Sequence, residues 1–172
     1  MSLLVVCVVI LAVLTLLNMS LSAAIVRTMR AGRGAPADLP KAGDTVAPYS
    51  VPALDGGSID GPPLGDTLAV FVTPTCGPCA TLLETWPERV AELPEDIVAF
   101  VINTSSEEEA AAYAAKLGPR VRTAVVGRDS DVARAFGVGD VTPTLVRLRD
   151  DVVEKVGHSV DRVLGGRERV AR

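Results

Sequence analysis

Two cysteines three positions apart stand where an apolar run meets a helix-like segment, and this junction constrains the fold more than any other feature of the chain. Residues 68–72 are unbroken and apolar; Thr73-Pro74-Thr75-Cys76-Gly77-Pro78-Cys79 follows; residues 80–93 read as a helix. At a helix start, unpaired amide hydrogens and the helix dipole favour an anion, so a thiol there ionises more readily than a free one. Cys76 is therefore the expected nucleophile. Cys79, almost one turn further on and more deeply packed, is placed to attack a mixed disulfide formed at Cys76 and release the partner.

The same spacing makes half of a zinc site, which would need two more Cys or His ligands to close. The candidates are Cys7, inside the apolar N-terminal run, and His158, alone near the far end. Redox chemistry is thus the preferred reading over a metal site or an inert pair. Cys7 reads as a small apolar residue, with lipidation or helix pairing as the alternative. His158 reads as an ordinary surface or half-buried residue.

The 172 residues suffice for one domain plus an appendage, and no internal repeat is visible. Charge divides the chain in two. Residues 1–42 carry four basic side chains and one acidic, whereas residues 43–172 carry 13 basic and 20 acidic. The acidic part argues against a nucleic-acid surface. The basic cluster Arg27, Arg30 and Arg33 suits anionic lipid headgroups.

Residues 1–26 have no charged side chain, and a helix over 3–26 would reach about 36 Å, enough to cross a bilayer. We expect residues 1–26 to be one transmembrane anchor, 27–42 a linker, and 43–172 a folded domain. A cleaved signal peptide is the alternative, disfavoured by the lack of a positive residue before the apolar run and by its length. The arginines follow the span, which by the positive-inside rule would put the domain in the cytoplasm.

Within the domain, the Asp55-Gly56 turn between short extended pieces predicts a hairpin. Residues 97–102 form a second buried strand, 105–117 a helix with Ser-Ser-Glu-Glu capping, and 122–126 another strand. The run Glu107, Glu108 and Glu109 reads as a solvated first turn, or, less favoured, an acidic docking patch. A short helix over 129–136 follows, then a hairpin of 145–149 and 152–157, then a last helix from Ser159 weakened by Gly165-Gly166. Pro87 should kink or divide the helix after the dithiol. The order implies an α/β domain with a central mixed sheet, the dithiol lying at the carboxyl end of a central strand.

Cys76-Gly77-Pro78-Cys79 after a buried strand, with Thr142-Pro143 ahead of a later one, resembles the thioredoxin fold. The segment Gly43-Asp44-Thr45-Val46-Ala47-Pro48 with Leu54-Asp55-Gly56-Gly57 is similar to the N-terminal β extension of the membrane-anchored TlpA-like thiol-disulfide oxidoreductases of bacteria. Thr75 before the dithiol and Leu82-Leu83 after it make the chain most similar, within that group, to the methylamine-utilisation (MauD-like) accessory proteins. The resemblance covers residues 43–165. It implies a cis peptide between Thr142 and Pro143 against the dithiol, with the Thr142 backbone free to pair with an extended substrate segment. An ordinary turn proline stays open. It also implies a redox domain outside the cytoplasmic membrane, against the arginines, and we lean to the outside.

Three positions depart from the pattern. Val70 stands where thioredoxins carry a buried Asp, Thr75 where Trp is usual, and Leu82 where many TlpA-like proteins have Glu. The proton acceptor for Cys79 is thereby left open.

The expected activity is thiol-disulfide exchange with cysteine-containing client proteins, with no cofactor, fed by an upstream membrane or thioredoxin-type electron donor. Gly77-Pro78 matches strongly reducing thioredoxins, near roughly −270 mV, and favours reduction. The alternative is a thioredoxin-like module that binds a client or copper with little turnover. A peroxidase fits less well, because no peroxide-activating Thr-and-Cys pattern with a nearby Arg is visible.

Overall fold

The computed structural model describes residues 6–7, 11, 13–20, 39–102, 104, 106–139 and 141–165. The chain forms two compact units, Met1–Pro36 and Ala37–Arg172. In the first, residues 6–7, 11 and 13–20 are helical, and Leu11, Leu14, Leu16 and Leu17 are all more than half exposed. Among the described residues no helix is long and apolar enough to cross a membrane. The span expected over 3–26 therefore gains no support here. Much of it lies outside the described residues, as do Arg27, Arg30, Arg33 and most of the linker.

In the second unit, residues 43–46 lead into a hairpin of β1 (Tyr49–Pro52) and β2 (Ser58–Gly61). Next come β3 (Asp66–Val72), α1 (Gly77–Arg89), a 3-10 turn (Val90–Glu92), β4 (Asp96–Ile102) and α2 (Glu107–Leu117). The chain continues through β5 (Val121–Val126), α3 (Asp131–Phe136), β6 (Thr144–Arg149), β7 (Val152–Gly157) and α4 (Val160–Leu164). The sheet order is β5-β4-β3-β6-β7. β3, β4 and β5 run parallel, and β6 and β7 are antiparallel to their neighbours.

β3 is central and buried on both faces, and its alternation builds two cores. Ala69 and Phe71 face the β1–β2 hairpin and α3, where Tyr49, Phe71, Phe100 and Phe136 form an aromatic cluster with ring centroids 5.0 to 5.9 Å apart. Leu68, Val70 and Val72 face α1, α2 and α4, against Cys79, Leu83, Trp86 and Leu117. Period-two burial on a strand with cover on both faces explains why 68–72 reads as a continuous apolar run.

The helix read over 80–93 begins at Gly77 with Cys76 as its N-cap, at the helix start expected for that cysteine, and Pro78 fits the first turn. Pro87 does not divide it. The proline falls in the last turn, and only after Arg89 does the chain tighten into the 3-10 turn. The helix expected from residue 105 starts at Glu107, since the Ser106 side chain caps the Glu109 amide. The last helix ends at Leu164 with Gly165 left-handed at φ +83; the residues expected beyond it lie outside the described ones.

Candidate dithiol site

The site is assembled by the carboxyl end of β3, the start of α1 and the turn before β6. Tyr113 on α2 donates its hydroxyl to the Pro74 carbonyl at 3.0 Å, and the Cys76 amide bonds the Thr73 carbonyl at 3.1 Å. These bonds fix the loop between β3 and α1. Burial, with Glu109 adding to it, raises the Tyr113 phenol above its ordinary value, so the hydroxyl stays a donor.

Cys76 is half-buried and Cys79 wholly buried. Their sulfurs stand at bonding distance, with Cα atoms 5.2 Å apart. The Cys79 amide donates to the Cys76 sulfur at 3.2 Å, so one of the orphan amides of the α1 start is spent on that atom. Thr75, Gly77 and Pro78 are exposed around the dithiol, and a Cβ added at Gly77 would meet open space. Val70 and Leu82 pack in the same apolar cluster as Cys79.

Thr142 and Pro143 are brought to the dithiol from 66 residues along the chain: the Thr142 carbonyl oxygen lies 3.2 Å from the Cys76 sulfur. The peptide between them is cis, as the resemblance implied. A second cis peptide, Gly61-Pro62, was not foreseen. Glu84, the acidic side chain of α1 five residues past Cys79, is exposed. Cys7 is exposed in the other unit. Among the described residues no three His, Cys, Asp or Glu side chains converge as metal ligands.

One residue at the site, Tyr113, escaped the sequence reading. His158, read as an ordinary surface or half-buried residue, is exposed, and its Nδ1 lies 2.7 Å from the Pro143 carbonyl oxygen. The signal for it was the hairpin register, since Leu145 pairs with Gly157 and the next residue of β7's exit must come level with the Thr142-Pro143 turn.

The fold recurs in solved structures. A secreted disulfide oxidoreductase of Mycobacterium tuberculosis, described as homologous to E. coli DsbE, superposes with TM-score 0.53 at 18% identity, over 64% of this chain and 83% of that one. The fold is thioredoxin-like. A DsbF homologue from Corynebacterium diphtheriae matches this thioredoxin-like domain with TM-score 0.58 at 16% identity, over 73% of this chain and 88% of that one. A putative thiol:disulfide interchange protein DsbE from Chlorobium tepidum gives TM-score 0.51 at 18% identity, over 70% and 86%. No family model matches the sequence, and no curated protein matches it.

Proposed function

We propose that the protein is a membrane-tethered thiol-disulfide oxidoreductase that reduces disulfides of client proteins. The observation that carries this is the Cys76–Cys79 pair at bonding distance, with Cys76 half-buried beside the Thr142 backbone and Cys79 behind it. In the reaction, the Cys76 thiolate attacks one sulfur of a client disulfide and the other leaves as a thiolate that takes up a proton. Cys79 then loses its proton and attacks the Cys76 sulfur. The Cys76–Cys79 disulfide forms, the second client thiol leaves, and two electrons have passed to the client. A donor dithiol restores the pair.

The likeness in fold to a secreted disulfide oxidoreductase, a putative thiol:disulfide interchange protein and a DsbF homologue supports this reading. Placement among the anchored TlpA-like proteins, with MauD-like relatives, rests on the sequence resemblance. Tethering rests on the charge-free residues 1–26 and on the exposed leucines of the helical residues 11 and 13–20. A redox domain outside the cytoplasmic membrane and a membrane or thioredoxin-type electron donor belong to the same proposal.

One observation favours a second reading, a client- or copper-binding module with little turnover: Val70 and Leu82 leave the buried Cys79 among apolar side chains. Insulin reduction by dithiothreitol separates the two. The oxidoreductase accelerates it and Cys76→Ser abolishes the acceleration; equal rates with and without the wild-type protein would leave the binding module.

A further inference from the structure

We propose that His158 is a positioning residue for the exchange reaction, holding the Thr142-Pro143 turn against the Cys76 sulfur. This rests on the reading of Cys76 and Cys79 as the exchanging pair.

Three successive carbonyls of the turn each face a side chain. The Thr144 hydroxyl donates to the Val141 carbonyl at 2.6 Å, the Cys76 sulfur stands 3.2 Å from the Thr142 oxygen, and His158 Nδ1 stands 2.7 Å from the Pro143 oxygen. A carbonyl only accepts, so Nδ1 carries a proton in this contact. The middle contact is the one that chemistry interrupts. The sulfur is by turns a thiol, a thiolate and half of a disulfide, and only the thiol can donate. The flanking bonds from Thr144 and His158 involve no reacting atom, so they hold the Thr142 backbone in place while the sulfur changes partner.

Thr144 acts within the turn, whereas His158 ties the turn to a different part of the fold. It follows β7 and precedes Ser159, the N-cap of α4. Gly157 before it is packed so closely on Arg162 that an added Cβ would come within 2.8 Å of that side chain. The backbone that carries the imidazole is thereby held close to α4. His158 is exposed, and with Pro78, Thr81 and Thr85 it lines a groove of about 450 Å³ that opens beside the dithiol. A client segment laid along Thr142 would therefore depend on an edge that His158 keeps in register.

The test uses the full chain with insulin as substrate and dithiothreitol as donor, comparing wild type, His158→Ala and His158→Asn. The Asn amide nitrogen can occupy the place of Nδ1 and keep the donor. His158→Ala should raise KM for insulin about fivefold, the worth of one net hydrogen bond, with kcat changed less than about twofold. His158→Asn should restore KM to within about twofold of wild type. An unchanged KM in His158→Ala, or an Asn variant as impaired as the Ala variant, overturns the proposal. A second readout needs no turnover: nitrogen-15 spectra of the His158 ring in the wild-type protein should show the Nδ1-protonated tautomer, and the Nε2-protonated form overturns the contact itself. Failure of wild type to reduce insulin would strike the exchange reading instead, and the ring spectrum would still decide the contact.

Discussion

Cys79 has to lose a proton before it can attack, yet it is wholly buried among Val70, Leu82, Leu83 and Trp86, none of which can take that proton. Val70→Asp should then speed resolution of a mixed disulfide at neutral pH, followed by stopped-flow with a glutathione adduct at Cys76. Stability must be measured alongside, since a buried unpaired charge costs several kcal/mol. A stable variant that resolves no faster would show that proton loss from Cys79 does not limit the step. A second buried group ties stability to alkaline pH. Burial pushes the Tyr49 phenol from 10.0 up to about 12, with Arg122 opposing, and its hydroxyl has no hydrogen-bond partner among the described residues. The unfolded chain therefore ionises first. The stability tied to the neutral phenol is fully present below about pH 10 and is lost as pH rises through about 12, roughly 3 kcal/mol in all. Urea unfolding of Tyr49→Phe should show a flatter dependence over that window than wild type and no loss at neutral pH. A parallel fall in both proteins would mean that other groups carry it.

The β1–β2 hairpin is the element that closes one face of the sheet. Ile59 and Tyr49 supply its buried side, and the Asp55 side chain steadies the turn through the Gly57 amide at 3.0 Å. Tyr49 lies opposite Gly61, and a Cβ there would overlap the Tyr49 ring, which is itself held against Phe100 and Phe136. Gly61→Ala should therefore destabilise the domain by about 1–3 kcal/mol, the cost of overpacking a filled core. Its urea midpoint should fall with an unchanged slope. An unaltered midpoint would mean that the hairpin shifts freely on the sheet. Gly77 makes the contrast at the other end of the fold: a side chain there has open space, so its interest is chemical and not steric.

At the scale of the whole molecule, the prediction concerns where the dithiol works. With an exported, anchored domain, a membrane-impermeant maleimide applied to intact cells after mild reduction should label Cys76, and the protein should stay with membranes through alkaline carbonate washing. Labelling only after lysis would place the domain in the cytoplasm, as Arg27, Arg30 and Arg33 by themselves would have it. Release by carbonate would remove the tether.

The sequence by itself determined the elements whose signals are local. An apolar run buried on both faces marked β3, a dithiol with Pro78 marked the start of α1, and alternation around Asp150-Asp151 marked the β6–β7 hairpin. Each is a matter of a few neighbouring residues and the period of their burial. Only the tertiary structure decided what meets across long separations. It set Thr142 beside Cys76, His158 on the Pro143 carbonyl, the Tyr113 hydroxyl on the Pro74 carbonyl, and the Tyr49 ring against Phe100 and Phe136. Residues 43–46 likewise lie along β7, with the Gly43 amide on the Val153 carbonyl and the Val46 amide on the Asp151 carbonyl, both at 2.8 Å. Such contacts depend on strand register and on which face a helix turns inward. Many distant pairings fit any one local pattern, and only the packing of the complete sheet and its helices selects among them.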